Sequence, residues 1–394
     1  MRVEGRTIQP VANACPKALA AYAAATVPGE PRIEGKPVAL ERALAHAVRL
    51  LRRSRRPLIA GLGTDVAGLR AALALAEACH ACVDHMHSAG LNLNLRVLQS
   101  RGWQTTTLSE VRNRADLVVL CGVDLTSSFR NFVPRVLAAP DALLPSRRAS
   151  RRVAFVGPEA QAPTDTAGLP LDVVPTADAD LAATLRALQA LLAGRRIDLP
   201  RGRRRTALEA LAARITAAEY AVFAWAPGQL AAQDGDLVIA AICETVADIN
   251  RVRRAAGLVL GGDDGAQSAL AVSSWLTGFP VNVSFAGARL AGAVGDASAT
   301  GLLARGEADL LLYVTSFSRR VPPPGDVPQI LLAPPGFAAA DDAEVYLPIG
   351  VPGIDHPGQL LRTDGVVALP LPSLRPDGPP AAADLLTRLR AGLN

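Results

Sequence analysis

Pro57-Leu-Ile-Ala-Gly61-Leu-Gly63-Thr-Asp65-Val66 is the stretch that sets the fold class. Its apolar opening has no polar alternation, which reads as a short strand buried on both faces. Gly61-Leu-Gly-Thr then reads as a tight turn, with Thr64 or Asp65 as N-cap of a helix over 65–79. Upstream, residues 39–54 place Leu40, Leu44, Val48 and Leu51 at helical spacing. Downstream, short apolar runs recur at 81–84, 117–121 and 153–156. Strands alternating with helices at this spacing predict an α/β fold built on parallel sheets.

The same grammar continues further on. Strands are predicted at 220–225, 258–260, 281–283, 310–314 and 330–332, and helices at 16–25, 234–255, 266–276, 297–305 and 381–391. Residues 195–207, rich in Arg and containing Pro200 and Gly202, read as a linker. The expected division is an N-terminal segment 1–56, a first α/β lobe 57–200, a second lobe 201–335 and a less regular C-terminal part 336–394.

Composition limits the function classes. The chain has 394 residues, half of them hydrophobic and 20% charged, so it can bury a large interior in several lobes. The net charge is +5, and nearly all the basic residues are Arg. Two Arg clusters stand out, Arg52, Arg53, Arg55, Arg56 and Arg201, Arg203, Arg204, Arg205. No aromatic residues interleave with them as stacking platforms would, so they predict a solvated or subunit-facing role and no nucleic-acid partner. Five cysteines make no disulfide framework. No apolar run reaches transmembrane length, so a soluble cytoplasmic protein is expected.

Three motifs carry possible chemistry. The Gly61–Val66 turn could cradle a phosphate, but Val66 stands where a dinucleotide fingerprint has its third glycine, and a plain strand–turn–helix connection is the simpler reading. Cys79, His80, Cys82, Asp84, His85 and His87 supply metal-ligand chemistry without the spacing of a zinc site. Cys82 is expected to be a small core residue. Asp263-Asp264 and Asp341-Asp342 read as acids at helix N-termini. No residue of these motifs is assigned a catalytic, cofactor-binding or metal-ligating role.

Four ordered stretches resemble the B subunit of formylmethanofuran dehydrogenase, in the molybdopterin oxidoreductase superfamily, and its bacterial counterpart in a formyltransferase/hydrolase complex. They are 89–124 with Glu110-Val-Arg-Asn-Arg-Ala-Asp116, Trp275-Leu-Thr-Gly-Phe-Pro280-Val-Asn-Val-Ser-Phe285, Ala304-Arg-Gly-Glu-Ala-Asp309, and Ile354-Asp-His-Pro-Gly358-Gln-Leu-Leu-Arg362-Thr-Asp364. The resemblance implies a reduced, formate dehydrogenase-like multi-lobe fold. It also implies departures. Cys15 resembles the fourth cysteine of an iron–sulfur motif, and the sequence begins after the place of the other three, so 1–56 keeps a remnant of that region. Gly90 falls where the redox enzymes carry the cysteine that binds molybdenum or tungsten. The resemblance therefore implies loss of the metal pterin and of the iron–sulfur cluster. What remains is a scaffold beside the A, C and D subunits of a complex that takes formate from a formyl-methanofuran-type cofactor, in one-carbon metabolism and formaldehyde oxidation. The methanofuran-type cofactor and zinc would belong to the partner subunits. A redox subunit that retains its pterin, and a nucleotide-binding protein, are the alternatives. The Arg clusters could also meet a polyglutamate tail of the cofactor.

Overall fold

The computed structural model describes residues 2–4, 7–9, 14, 16–24, 29–122, 124–144, 149–230, 234–261, 263–287, 290–292, 298–375 and 377–393. The chain divides into two compact units, Met1–Ala89 with Gly262–Asn394, and Gly90–Gly261. Each is an α/β layer structure, as the alternating pattern predicts.

The inserted unit holds a five-stranded sheet in the order Arg254–Val259, Tyr220–Trp225, Leu117–Cys121, Arg152–Gly157, Leu171–Pro175. Every pairing is parallel. Strand Tyr220–Trp225 is buried along its whole length because both faces are covered. Ala221, Phe223 and Trp225 join one apolar core with helices Leu181–Leu192, Arg203–Ala217 and Gly235–Ile249. Val222 and Ala224 join the core on the opposite face, with Val111 and Val136.

Arg151 is buried in the second of these layers at 1% exposure. Its guanidinium donates to the carbonyls of Val111 and Arg112 at 2.9 Å, Ala115 at 2.7 Å and Val136 at 3.0 Å, and also to Leu137. Three of these carbonyls close the C-terminal end of helix Leu108–Arg114, where the helix dipole favours a cation.

The outer unit holds a nine-stranded mixed sheet. Its order is Ala291–Gly292, Val283–Ser284, Cys82–Val83, Pro57–Gly63, Leu310–Thr315, Gln329–Ala333, Val345–Pro348, Arg32–Ile33, Lys36–Pro37. The five central strands are mutually parallel and the margins antiparallel. Helix Val66–Cys79 packs on strand Pro57–Gly63 and against the terminal helix Ala382–Ala391.

The expected linear lobes differ from these units. Strands on both sides of residue 200 pair in one sheet, so 57–200 and 201–335 do not separate there. The expected linker 195–207 runs into helix Arg203–Ala217, with Gly202 before its first turn. The segment after 335 belongs to the outer unit and supplies the sheet strand Val345–Pro348. The predicted helix 234–255 ends at Ile249, and strand Arg254–Val259 begins within its last turn. Among the described residues no helix is long and apolar enough to cross a membrane.

Candidate functional site

Strand Pro57–Gly63 leads on to Cys82–Val83 on one side, whereas its other neighbour, Leu310–Thr315, leads away to Gln329–Ala333. The connections therefore diverge between these two strands, and in open α/β sheets the carboxyl end of such a point forms a crevice. Backbone geometry there is unusual. Gly61 has φ +81° and Leu62 has φ +57°. A Cβ at Gly61 would meet the Val314 carbonyl oxygen at 2.6 Å, so only glycine fits. The Ser316 N–H donates to the Gly63 carbonyl at 2.6 Å and joins the two strand ends. Asp65 is the N-cap, its carboxylate accepting from the Gly68 N–H at 3.0 Å.

The segment after strand Cys82–Val83 fills the neighbouring position. Asp84 is buried, and its carboxylate accepts from Asn282 Nδ2 at 2.5 Å and from the Ala299 N–H at 2.6 Å. Burial still pushes its pKa up to about 6, against the hydrogen bonds that lower it. His85 is 1% exposed. Its Nδ1 accepts from the His87 N–H at 3.1 Å, which leaves the proton on Nε2 to donate to the Asp264 carbonyl at 3.3 Å. Burial, aided by the neighbouring His87, lowers the His85 pKa to about 4, so the ring is neutral. His87 Nε2 meets the Asp264 carboxylate at 2.8 Å, and the Arg320 guanidinium approaches its Nδ1 at 3.4 Å. Asp264 (φ +55°) and Asn282 (φ +61°) are both left-handed. Strained backbone of this kind persists only where the surroundings over-determine it.

The metal-like sequence cluster is thus dispersed. Cys79 ends its helix, and burial raises its pKa to about 11, which keeps the thiol protonated. Cys82 lies in a strand with its Sγ 3.4 Å from Ser284 Oγ. The ring nitrogens of His85 and His87 are all engaged in hydrogen bonds. Among the described residues no three His, Cys, Asp or Glu side chains gather as a metal-binding group. The sequence predicts Asp65 as a possible cap but not the roles of Asp264, Asn282 and Arg320. Asp263-Asp264 does precede helix Ala266–Thr277, yet Asp264 serves the two histidines rather than that helix alone. Asp341 and Asp342 open no helix. They follow the short turn Ala338–Ala340, and Asp341 pairs with Arg32.

The second Arg cluster is largely engaged in ion pairs, and the first is engaged at Arg52. Arg203 pairs with Glu159, Arg204 with Asp180 and Arg205 with Glu209, at 2.6, 3.0 and 2.8 Å. Arg52 donates to the Gly392 carbonyl at 2.7 Å.

Gly90 lies in helix Ser88–Arg101, packed against the turn Pro227-Gly228. A Cβ at Gly90 would meet Gly228 Cα and N at 2.8 Å and the Pro227 carbonyl carbon at 3.3 Å. All three are backbone atoms and cannot swing aside. The packing is braced nearby, since Trp225 Nε1 donates to Asn94 Oδ1 at 2.9 Å and a Cβ at Gly235 would meet Leu93 at 2.7 Å. The position that the resemblance equates with the metal-binding cysteine has no room for a thiolate, so the residues present do not fit a metal pterin ligated there. Cys15 lies outside the described residues.

No protein-family model matches the chain. The B subunit of the formyltransferase/hydrolase complex of Methylorubrum extorquens is 29% identical over 378 residues, which cover 91% of this chain and 96% of that protein. The B subunit of a tungsten-containing formylmethanofuran dehydrogenase of Methanocaldococcus jannaschii is 25% identical over 341 residues, 84% of this chain and 78% of that protein. Among solved structures, the crystal structure of the Methylorubrum extorquens formyltransferase/hydrolase complex with methylofuran contains a chain that matches with a TM-score of 0.79 and 26% identity, covering 92% of this chain and 98% of that one. The chain is a homologue of the B subunit of the formyltransferase/hydrolase complex and is related to the B subunit of formylmethanofuran dehydrogenase.

Proposed function

We propose that this chain is the structural, non-catalytic B subunit of a cytoplasmic formyltransferase/hydrolase complex. The A, C and D subunits would carry the chemistry that releases formate from a formylated methanofuran-type cofactor. The similarity to such a subunit along nearly the whole length, and to a chain of a complex solved with methylofuran, supports the assembly. The carrying observation for the non-catalytic role is the backbone of Pro227-Gly228 against Gly90, which occupies the space a metal-ligating side chain needs. The chain would keep a reduced molybdopterin oxidoreductase (formate dehydrogenase-like) architecture as an assembly surface, because a fold outlives the chemistry first built on it.

The assembly is tested by expressing the tagged chain in its native host and identifying what it captures. The A, C and D subunits in fixed ratio are expected, together with release of formate from the formylated cofactor by the captured complex. A chain recovered alone, from cells that contain the other three subunits, contradicts the proposal.

A further inference from the structure

On the helical layer of the outer unit lies a groove of about 780 Å³. Arg70 and Glu77 from helix Val66–Cys79 line it, with Leu276 from the end of helix Ala266–Thr277, Phe285, Leu290, and Arg390 from the terminal helix. Leu276 lines the groove and is 57% exposed, and Trp275, its neighbour in the helix, is 68% exposed. A lone exposed leucine needs no explanation, but an exposed tryptophan next to an exposed leucine, by a groove of mixed polar and apolar lining, marks an interaction face. Buried tryptophan and arginine are also the residues that dominate interface energetics.

The charges indicate what fits. Arg70 and Arg390 are exposed, and neither has an acidic partner among the described residues. Two cations against the single carboxylate of Glu77 leave the groove positive. A second copy docked by two-fold symmetry would set two grooves of net positive charge against each other, with too few carboxylates to match the arginines. The complement is therefore an apolar segment that carries acid.

We propose that the groove and the exposed Trp275-Leu276 pair dock a segment of a partner subunit, which inserts an apolar side chain and sets carboxylates against Arg70 and Arg390. The inference rests on the assembly proposed above and adds to it a face and a partner chemistry.

The test compares the wild-type chain with Trp275→Ser/Leu276→Ser and with Arg70→Glu/Arg390→Glu, each titrated with the A, C and D subunits. All four side chains are solvent-facing, so both variants are expected to keep the wild-type melting temperature. Each should bind the partners at least about tenfold more weakly, as loss of an anchor does. The defect of the charge variant should shrink at high salt. Trp275 emission should shift to the blue on assembly, a change absent from Trp275→Phe. Should the double serine variant fail to fold, the charge variant and the emission shift still decide. Wild-type affinity in both folded variants overturns the groove while leaving the assembly intact. A wild-type chain that binds none of the three subunits overturns the assembly and the groove with it. A dimer of the isolated chain that the same substitutions dissolve shows a second copy in the groove and overturns the partner proposed.

Discussion

Asp84 and His85 are neighbours in sequence, and burial acts on them in opposite directions. The folded-state pKa of Asp84 is raised from 3.8 to about 6, so the folded chain holds that proton more tightly than the unfolded one. Its contribution is largest below pH 4 and is lost as pH rises through 6, by about 3 kcal/mol. The folded-state pKa of His85 is lowered from 6.5 to about 4, so its contribution is present above 6.5 and is lost as pH falls towards 4, by a similar amount. Between pH 4 and 6 the two slopes oppose each other. Urea unfolding across that window should show Asp84→Asn losing stability more steeply with acid than the wild type, and His85→Gln gaining it. Parallel curves for all three proteins would remove the burial argument. At Gly90, substitution by cysteine should cost about 2 kcal/mol through overpacking, read from the denaturation midpoint. A neutral Gly90→Cys would mean that the Pro227-Gly228 turn yields. Legibility at this scale followed sequence distance. The Asp65 cap depends on Gly68 three residues on and could be read directly, whereas His87 meets a carboxylate 177 residues away. No local pattern encodes such a pairing.

Among the elements, those with an unbroken apolar run were legible and those whose charges are met by distant residues were not. Strands Pro57–Gly63, Leu117–Cys121 and Leu310–Thr315 are wholly buried, and their unbroken apolar runs give them away. Helix Arg203–Ala217 begins in a run of arginines that reads as a solvated linker, because their partners Glu159 and Asp180 come from elsewhere in the chain. Two element-scale substitutions probe the framework. Arg151→Lys replaces a five-donor fork by three donors and leaves buried carbonyls unmet at the end of helix Leu108–Arg114. It should cost about 3 kcal/mol in chemical denaturation, and a loss below about 1 kcal/mol would show that water or a shifted backbone replaces the guanidinium. Gly61→Ala forces a left-handed residue with a side chain onto the Val314 carbonyl. A loss of about 2–4 kcal/mol is expected from strain and overlap together. An unchanged midpoint would show that the turn relaxes.

At the scale of the whole molecule, sequence order conceals the arrangement. The chain leaves its first sheet after Ala89, builds a complete parallel unit, and returns at Gly262 to finish the sheet it left. A break of that kind leaves no mark in composition, and the Arg-rich stretch near 200 drew the boundary to the wrong place. The family resemblance was legible because four marker stretches survive in order, and the comparisons extend it over most of the chain. The proposed structural role rests on the backbone that fills the space beside Gly90. Its most direct test is the tungsten and molybdenum content per copy of this chain in the purified, active complex, measured by mass spectrometry of the metals. Far less than one atom of either per copy is predicted, with formate release undiminished. One atom of tungsten or molybdenum per copy, retained through purification, would contradict it.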